Sequence, residues 1–497
     1  MSRDAFESLR ARLATIADVG KAISLLSWDQ HVMMPPRGAT IRAEQMATLG
    51  RIAHELFTDG ETGRLLDQAR PFAEEHEHDS FEASLVRVVS RDWEKARRVP
   101  ADLRAEMSRS SSLAIPVWVE ARKNNDFAAF LPALRRNLDL RKRYVDCFDV
   151  GDEPYDVLLD DYERDMTTAE VRRIFDYLKE HQAPLVKELA GGLPPEAGRR
   201  FPLELQKQFE LEVVRRFGFD DSAWRLDPTV HPFASGTGIE DIRLTTRYFN
   251  DNLDGLFATM HEFGHGLYEH QIDLDLERSP LARGVSLGVH ESQSRMWENL
   301  VGRSLPFWQH FFPRLVETFP EALARYDVDR WYREINAVQP SLIRVEADEA
   351  TYNLHIILRF ELEQELLAGS FPLEQLPEEW NRRMWDYLGI EVPDDTRGVL
   401  QDTHWAGGSI GYFPTYALGN LISLQIWERV TADLPDLDDA FEQGDFSPLR
   451  EWLREHLHRY GRKLTPSETL ERVTGSSTID PEPYVRYLQA KLSGIAV

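Results

Sequence analysis

Cysteine is almost missing from this 497-residue chain: Cys147 stands alone, so no intrachain disulfide can form. Placed between Asp146 and Phe148, it is expected to pack rather than to act as a nucleophile. Basic residues also fall short, with 58 Lys and Arg against 84 Asp and Glu, a formal charge of −26. A duplex or an anionic membrane repels such a surface, so neither nucleic acid nor membrane is expected as a partner. No stretch reaches the ~18 apolar residues that a bilayer span needs, and no apolar signal region follows Met1-Ser2-Arg3-Asp4. These absences point to a soluble cytoplasmic protein. Internal repeats, low-complexity tracts and strand-like alternation are scarce as well, which leaves a mostly α-helical class.

What is present is a core-forming composition, 42% apolar and 10% aromatic, with no sign of disorder. Phe6, Leu9, Leu13 and Ile16 predict a helix from Asp4 to about Gly20. Pro35-Pro36 and Gly38 break the chain, with Trp28 expected to anchor the turn. Further amphipathic helices are predicted over Ala43–Leu56, Phe81–Arg97 and Phe127–Cys147. Tyr155–Asp165 reads as a polar turn before a helix capped by Thr168, and Gly191–Pro195 as a loop. The tail from Trp452 to Leu492 reads as helical and without chemistry. Strands are predicted only near 228–250, where Gly-rich His231–Gly238 and alternating Asp241–Thr246 can form a hairpin. Such an edge can receive an extended peptide.

The chemical centre of the sequence is His261-Glu262-Phe263-Gly264-His265. Two histidines four residues apart share one face of a helix and can reach one metal ion, with Glu262 placed to hold a water. That combination generates a nucleophile near neutral pH for attack on a carbonyl, the chemistry of a metallopeptidase. Leu253, Leu256, Phe257, Met260 and Leu267 supply helical spacing after Asn250-Asp251-Asn252. Two surface histidines would match the same pattern, but the apolar flanks predict a buried helix, where unpaired histidines are costly.

A hydrolytic site needs a third ligand and an open position. Glu291, in His290-Glu291-Ser292-Gln293, falls 30 residues after His261 on a second predicted helix. The alternatives are a surface pair between Glu291 and Arg295, or ligation by His290, with His270 as a further spare. A third constellation, Ile343–His355, puts Arg344, Asp348 and His355 on one helical stripe. Arg344 held by an aspartate one turn away makes a fork for a carboxylate, unless the stripe is an internal salt-bridge network. A fourth, Gly398–Tyr416, is glycine-rich and carries His404, Tyr412 and Tyr416, donors suited to an oxyanion or to packing of a turn.

With these segments in view, the chain resembles the carboxypeptidase Taq family over most of its length. The resemblance rests on His231-Pro232-Phe233, on Asp241, Arg243 and Thr245, on the His261–His265 and His290–Gln293 motifs, and on Ile343–Glu349 and Gly398–Trp405. Trp28-Asp29-Gln30 and Met34–Ala39 match as well, and no motif position departs from the pattern. It implies His261, His265 and Glu291 as zinc ligands (cobalt being acceptable to the same set), with Glu262 as general base. It also implies Arg344 at the substrate carboxylate, with His404, Tyr412 and Tyr416 lining the site and His231, Asp241 and Arg243 among the substrate-binding residues. The implied fold is a single all-α domain over 1–497, with a very small β element, resembling the neurolysin and angiotensin-converting-enzyme type. Two helical lobes would flank a deep groove, with the metal-site core at about 228–420. The implied activity is release of single C-terminal residues from peptides with a free C-terminus, broad in specificity but poor on proline, by a homodimer. An endo-acting oligopeptidase and a non-catalytic peptide-binding protein are the rival readings, and the intact Glu262 weighs against the second.

Overall fold

The amino-terminal helix runs unbroken from Ser2 to Val32, past the end expected at Gly20. A glycine inside a helix costs only about 1 kcal/mol, and tertiary contacts beyond it hold the helix on course. Trp28 is buried between two guanidinium groups, Arg225 at 4.6 Å and Arg243 at 4.5 Å from the ring. It therefore anchors the helix to the strands carrying those arginines, rather than the turn after it. Phe6, Leu9 and Leu13 join a core with Leu65, Leu66 and Ala69 of the Gly60–Ala73 helix and Leu85, Val88 and Val89 of the Phe81–Arg98 helix. Pro35 and Pro36 end the first helix, and the next runs over Ala39–Thr58.

The computed structural model describes residues 2–149, 151, 153–191 and 198–494. The loop expected at Gly191–Pro195 lies, beyond Gly191, outside the described residues. The structure is mostly helical with one three-stranded sheet, the class read from the sequence. Strands β1 (Trp224–Pro228), β2 (Ala234–Gly238) and β3 (Asp241–Thr246) are ordered β1-β3-β2. The expected hairpin is the antiparallel β2–β3 pair, whereas β1 pairs parallel to β3 from just upstream of the predicted window. Among the described residues no helix is long and apolar enough to cross a membrane.

Two compact units result: Met1–Arg97, Glu196–Tyr332 and Ile426–Thr478 in the first, and Arg98–Pro195, Arg333–Gln425 and Ile479–Val497 in the second. The second is built around the Tyr352–Ala368 helix, where Leu354, His355, Ile356, Ile357, Leu358 and Arg359 are all buried. A helix buried all round is central to its unit. The predicted stripe from Arg344 to His355 does not form. Arg344–Glu346 is a single 3-10 turn, and Asp348 spends its carboxylate on the backbone N–H groups of Gln339, Ala350 and Thr351, local bonding that competes with a helix. Tyr155–Leu159 is likewise a short buried helix, and Thr167 rather than Thr168 caps the Thr168–Leu189 helix.

Candidate metal centre

His261 and His265 stand on the Asp254–His270 helix, whose first N–H is accepted by Asn252 Oδ1 at 3.0 Å. Met260, Phe263 and Leu267 bury its apolar side. Phe263 stacks on Trp224 at 5.4 Å and meets Trp297 edge-on at 5.1 Å. Two glycines set how closely the helix packs. A Cβ at Gly264 would collide with the Gln293 carbonyl of the Leu287–Arg295 helix, and one at Gly266 with Trp224, Ile242 and Leu244 of the sheet. The close crossing at Gly264 brings Glu291 opposite the histidines.

Glu291 Oε2 lies 3.7 Å from His261 Nε2 and 3.5 Å from His265 Nε2. The three ligand atoms fall within 4.8 Å of one another. Donors about 2.0–2.2 Å from a shared zinc ion, arranged tetrahedrally, are roughly 3.3–3.6 Å apart, so the set fits such an ion. The imidazoles keep 18% and 19% of their surface exposed. The helix is therefore buried as expected, but its two histidine edges remain open, as a site with a free position requires.

The pair between Glu291 and Arg295 also exists, with Arg295 Nε 2.8 Å from Glu291 Oε1. It is buried, and it uses the other carboxylate oxygen, so pairing and ligation are compatible. Outer partners fix both rings. His261 Nδ1 is 2.8 Å from Glu298 Oε2, and His265 Nδ1 is 2.7 Å from His290 Nδ1, whose Nε2 reaches Glu269 Oε1 at 2.9 Å. With Nδ1 engaged, each ring presents Nε2 to an ion. His290, the alternative ligand, thus stands behind His265. His270 is a packing residue, bonded to the Ile239 carbonyl and set against Trp224. Glu298 was not expected. It lies in the π-helical turn Met296–Val301, although Glu291, Arg295 and Glu298 follow the four- and seven-residue spacing of one helix face.

Burial lowers the His265 pKa to about 4, keeping it in the neutral form a ligand needs. Burial acts the same way on His261, but the Glu291 charge and the Glu298 hydrogen bond outweigh it and raise that pKa. Glu291 is held far below the usual carboxylate range: burial opposes ionisation, and Arg295 and the histidines overcome it. Glu262 is buried and carries the opposite perturbation. Loss of solvent, with Glu291 and Glu298 adding to it against His261, pushes Glu262 up to about 7, a value suited to proton transfer at neutral pH.

In the second unit, Arg344 is buried and donates to Asp402 through Nη2 at 2.8 Å and Nε at 3.2 Å, and to the Tyr352 hydroxyl at 2.8 Å. Its partner is Asp402 rather than the expected Asp348. Arg359 donates to the same carboxylate at 2.7 Å and to Gln401 at 2.8 Å. Two guanidinium groups on one carboxylate leave an excess positive charge. His404 Nε2 is 3.3 Å from the Tyr416 hydroxyl, and the Tyr412 and Tyr416 rings are 5.2 Å apart, so these three residues gather as expected. Burial, reinforced by Arg344 and Arg359 against Asp402, lowers the His404 pKa to about 4. Glu363 braces this loop by accepting from Tyr155, Trp405 Nε1 and the Gly411 N–H. Gly411 has φ +93°, and a Cβ there would collide with the Leu158 backbone.

Asp241 and Arg243, in the first unit, pair with each other through two 2.9 Å bonds while Arg243 covers Trp28. His231 is exposed ahead of β2.

Comparison with known proteins gives one consistent picture. Residues 8–492 match the family model described as carboxypeptidase Taq (M32) metallopeptidase. Thermostable carboxypeptidase 1 of Thermus thermophilus is 42% identical over 498 residues, covering 97% of this chain and 96% of that protein. The crystal structure of an M32 carboxypeptidase from Deinococcus radiodurans R1 superposes with a TM-score of 0.95 at 39% identity, covering 99% of each chain. A Pyrococcus furiosus carboxypeptidase structure gives 0.94 at 37% identity, over 98% of this chain and 99% of that one.

Proposed function

This chain belongs to the carboxypeptidase Taq (M32) metallopeptidase family, and from that premise we propose a zinc-dependent enzyme that releases single residues from peptide C-termini. The observation that carries the proposal is the convergence of His261, His265 and Glu291, with the buried Glu262 on the same helix as the histidines. Two imidazoles and a carboxylate suit zinc, and cobalt fits the same donors. When bound, the ion supplies the Lewis acidity that makes water a nucleophile near neutral pH. Glu262, buried beside the two histidines, would act as the general base, accepting a proton from the attacking water and passing it to the leaving amine. Glu298 and His290 keep the two imidazoles in the tautomer that presents Nε2.

An exopeptidase must recognise a free carboxylate, and we assign that role to Arg344. Three of its N–H groups are spent on Asp402 and Tyr352, whereas a guanidinium carries five. The excess charge shared with Arg359 calls for an anion, which a peptide's terminal carboxylate supplies. His404, Tyr412 and Tyr416 are proposed as donors to the bound peptide. Broad specificity, poor release of proline and a homodimeric assembly complete the proposal. The engagement of Arg344 by Asp402 favours a second reading, an endo-acting oligopeptidase that ignores the free end.

A mass-spectrometric time course on one short peptide, as free acid and as amide, with and without chelator, separates the two. Stepwise loss of single residues from the free acid alone, stopped by chelator, is expected. Internal fragments from both forms would establish the oligopeptidase and remove Arg344 from its role.

A further inference from the structure

The carboxy-terminal region, read from sequence as free of chemistry, contributes one side chain to the metal centre's framework. His458 lies in the single turn His458–Tyr460 and is fully buried. Its Nδ1 is 2.7 Å from the side-chain amide oxygen of Gln271, and its Nε2 is 2.8 Å from that of Gln293. Gln271 is the residue that caps the helix carrying His261 and His265, and Gln293 stands two residues beyond Glu291 on the other ligand helix. One imidazole therefore joins the two helices on which the three ligands stand.

The join lies where it has leverage. Gln293 is also the residue whose backbone carbonyl abuts Gly264, so the helices cross at the position that His458 grips. The Gln271 amide is held from its far side by the Arg450 carbonyl at 3.2 Å, and the His458 ring lies 4.9 Å from that of Tyr268. Burial keeps the ring uncharged, with one donor and one acceptor nitrogen. It donates to one amide oxygen, and a half-turn of the other amide lets that glutamine donate to the ring.

We propose that His458 is a positioning residue for the metal centre, clamping the helix of His261 and His265 to the helix of Glu291. The inference rests on the metal-centre reading given above, and its test must tell the two apart. Zinc affinity of the full chain, measured by competition with a chromogenic chelator at neutral pH, does so. Loss of an outer partner of a metal site weakens binding by about 10- to 100-fold, and that loss is expected for His458→Leu. His458→Gln, which keeps a donor and an acceptor at the same place, recovers most of it. Gln293→Leu reproduces the loss, and the double variant His458→Leu/Gln293→Leu binds no more weakly than either alone, as for residues acting through one contact. Should His458→Leu fail to fold, Gln293→Leu carries the test. Wild-type affinity in His458→Leu and Gln293→Leu, with only a lowered Tm, would reduce His458 to a packing residue. Absence of zinc binding by the wild-type chain would overturn the metal-centre reading itself.

Discussion

Glu298 accepts the Nδ1–H of His261 across 2.8 Å while Arg295 and Arg303 flank the same carboxylate. One acidic side chain thus orients a metal ligand and serves as a shared countercharge for two arginines. Glu298→Ala frees the ring to change tautomer, so metal affinity is expected to fall by about 10- to 100-fold. Glu298→Gln keeps an acceptor oxygen and is expected to lose less. Chelator competition on the two variants gives the ordering, and equal affinity in wild type and Glu298→Ala would count against an orienting role.

Glu262 is not among the three ligand residues, so its loss should separate catalysis from metal binding. General-base catalysis contributes typically 10²–10⁴-fold. Glu262→Gln is expected to lose at least that much in kcat while binding one zinc ion per chain. Metal content after dialysis, measured beside turnover, checks both halves, and loss of the metal would show that Glu262 is a ligand.

How far these residues were legible follows from where their partners come from. The two histidines repeat along one helix, and helical repetition is written in sequence, whereas Glu291 comes from a second helix and only the family resemblance singles it out from its alternatives. The β2–β3 hairpin announced itself by glycines and alternation. Arg344 and Asp402 are separated by 58 positions, and no local spacing encodes that contact. The sequence placed Asp348 beside Arg344 because a helix was expected there, whereas Asp348 caps backbone N–H groups and the helix begins at Tyr352. Gly20 was read as an end because the burial of Trp28 against Arg225 and Arg243 is a tertiary effect. Glu298 stands behind His261, Glu269 behind His290, and His458 behind Gln271 and Gln293, and a chain read one helix at a time does not show them.

Arg344 distinguishes the two proposed activities. A charge-assisted hydrogen bond contributes roughly 1.5–3 kcal/mol, or about 10- to 100-fold in binding. Arg344→Lys keeps the charge and loses the planar fork, so KM for free-acid peptides is expected to rise within that range. Amidated peptides should show no comparable change. Steady-state kinetics on a matched acid and amide pair decides it, and an unchanged KM would move the role to Arg243 or Arg295.

Asp402 is predicted to matter for folding before it matters for turnover. It is the shared countercharge of Arg344 and Arg359, and their proximity holds its pKa far below the usual carboxylate range despite burial. Breaking a buried pair from one side costs about 3–5 kcal/mol. Asp402→Asn is expected to lose that much stability in urea denaturation, and a loss under about 1 kcal/mol would show that the cluster relaxes without its carboxylate.

Glu210 offers a test of pH linkage at a group that is not itself a ligand. It is buried on the Leu203–Phe217 helix, with Oε2 accepting from Thr259 at 2.8 Å. Burial raises its pKa from the ordinary 4.5 to about 8, against smaller opposing effects of the Thr259 and Tyr248 hydroxyls. The folded chain therefore keeps a proton that the unfolded chain has already released. Stability from this group is complete below the unfolded value and is lost as pH rises through the folded one. Glu210→Gln stays uncharged at every pH and removes that dependence. Near pH 5 the variant and wild type should be of similar stability, and by about pH 8 the variant should be the more stable by up to roughly 4 kcal/mol. Paired denaturation curves across that window read the difference directly. A gap that stays constant from pH 5 to 8 would mean that Glu210 ionises in the folded chain as freely as in the unfolded one.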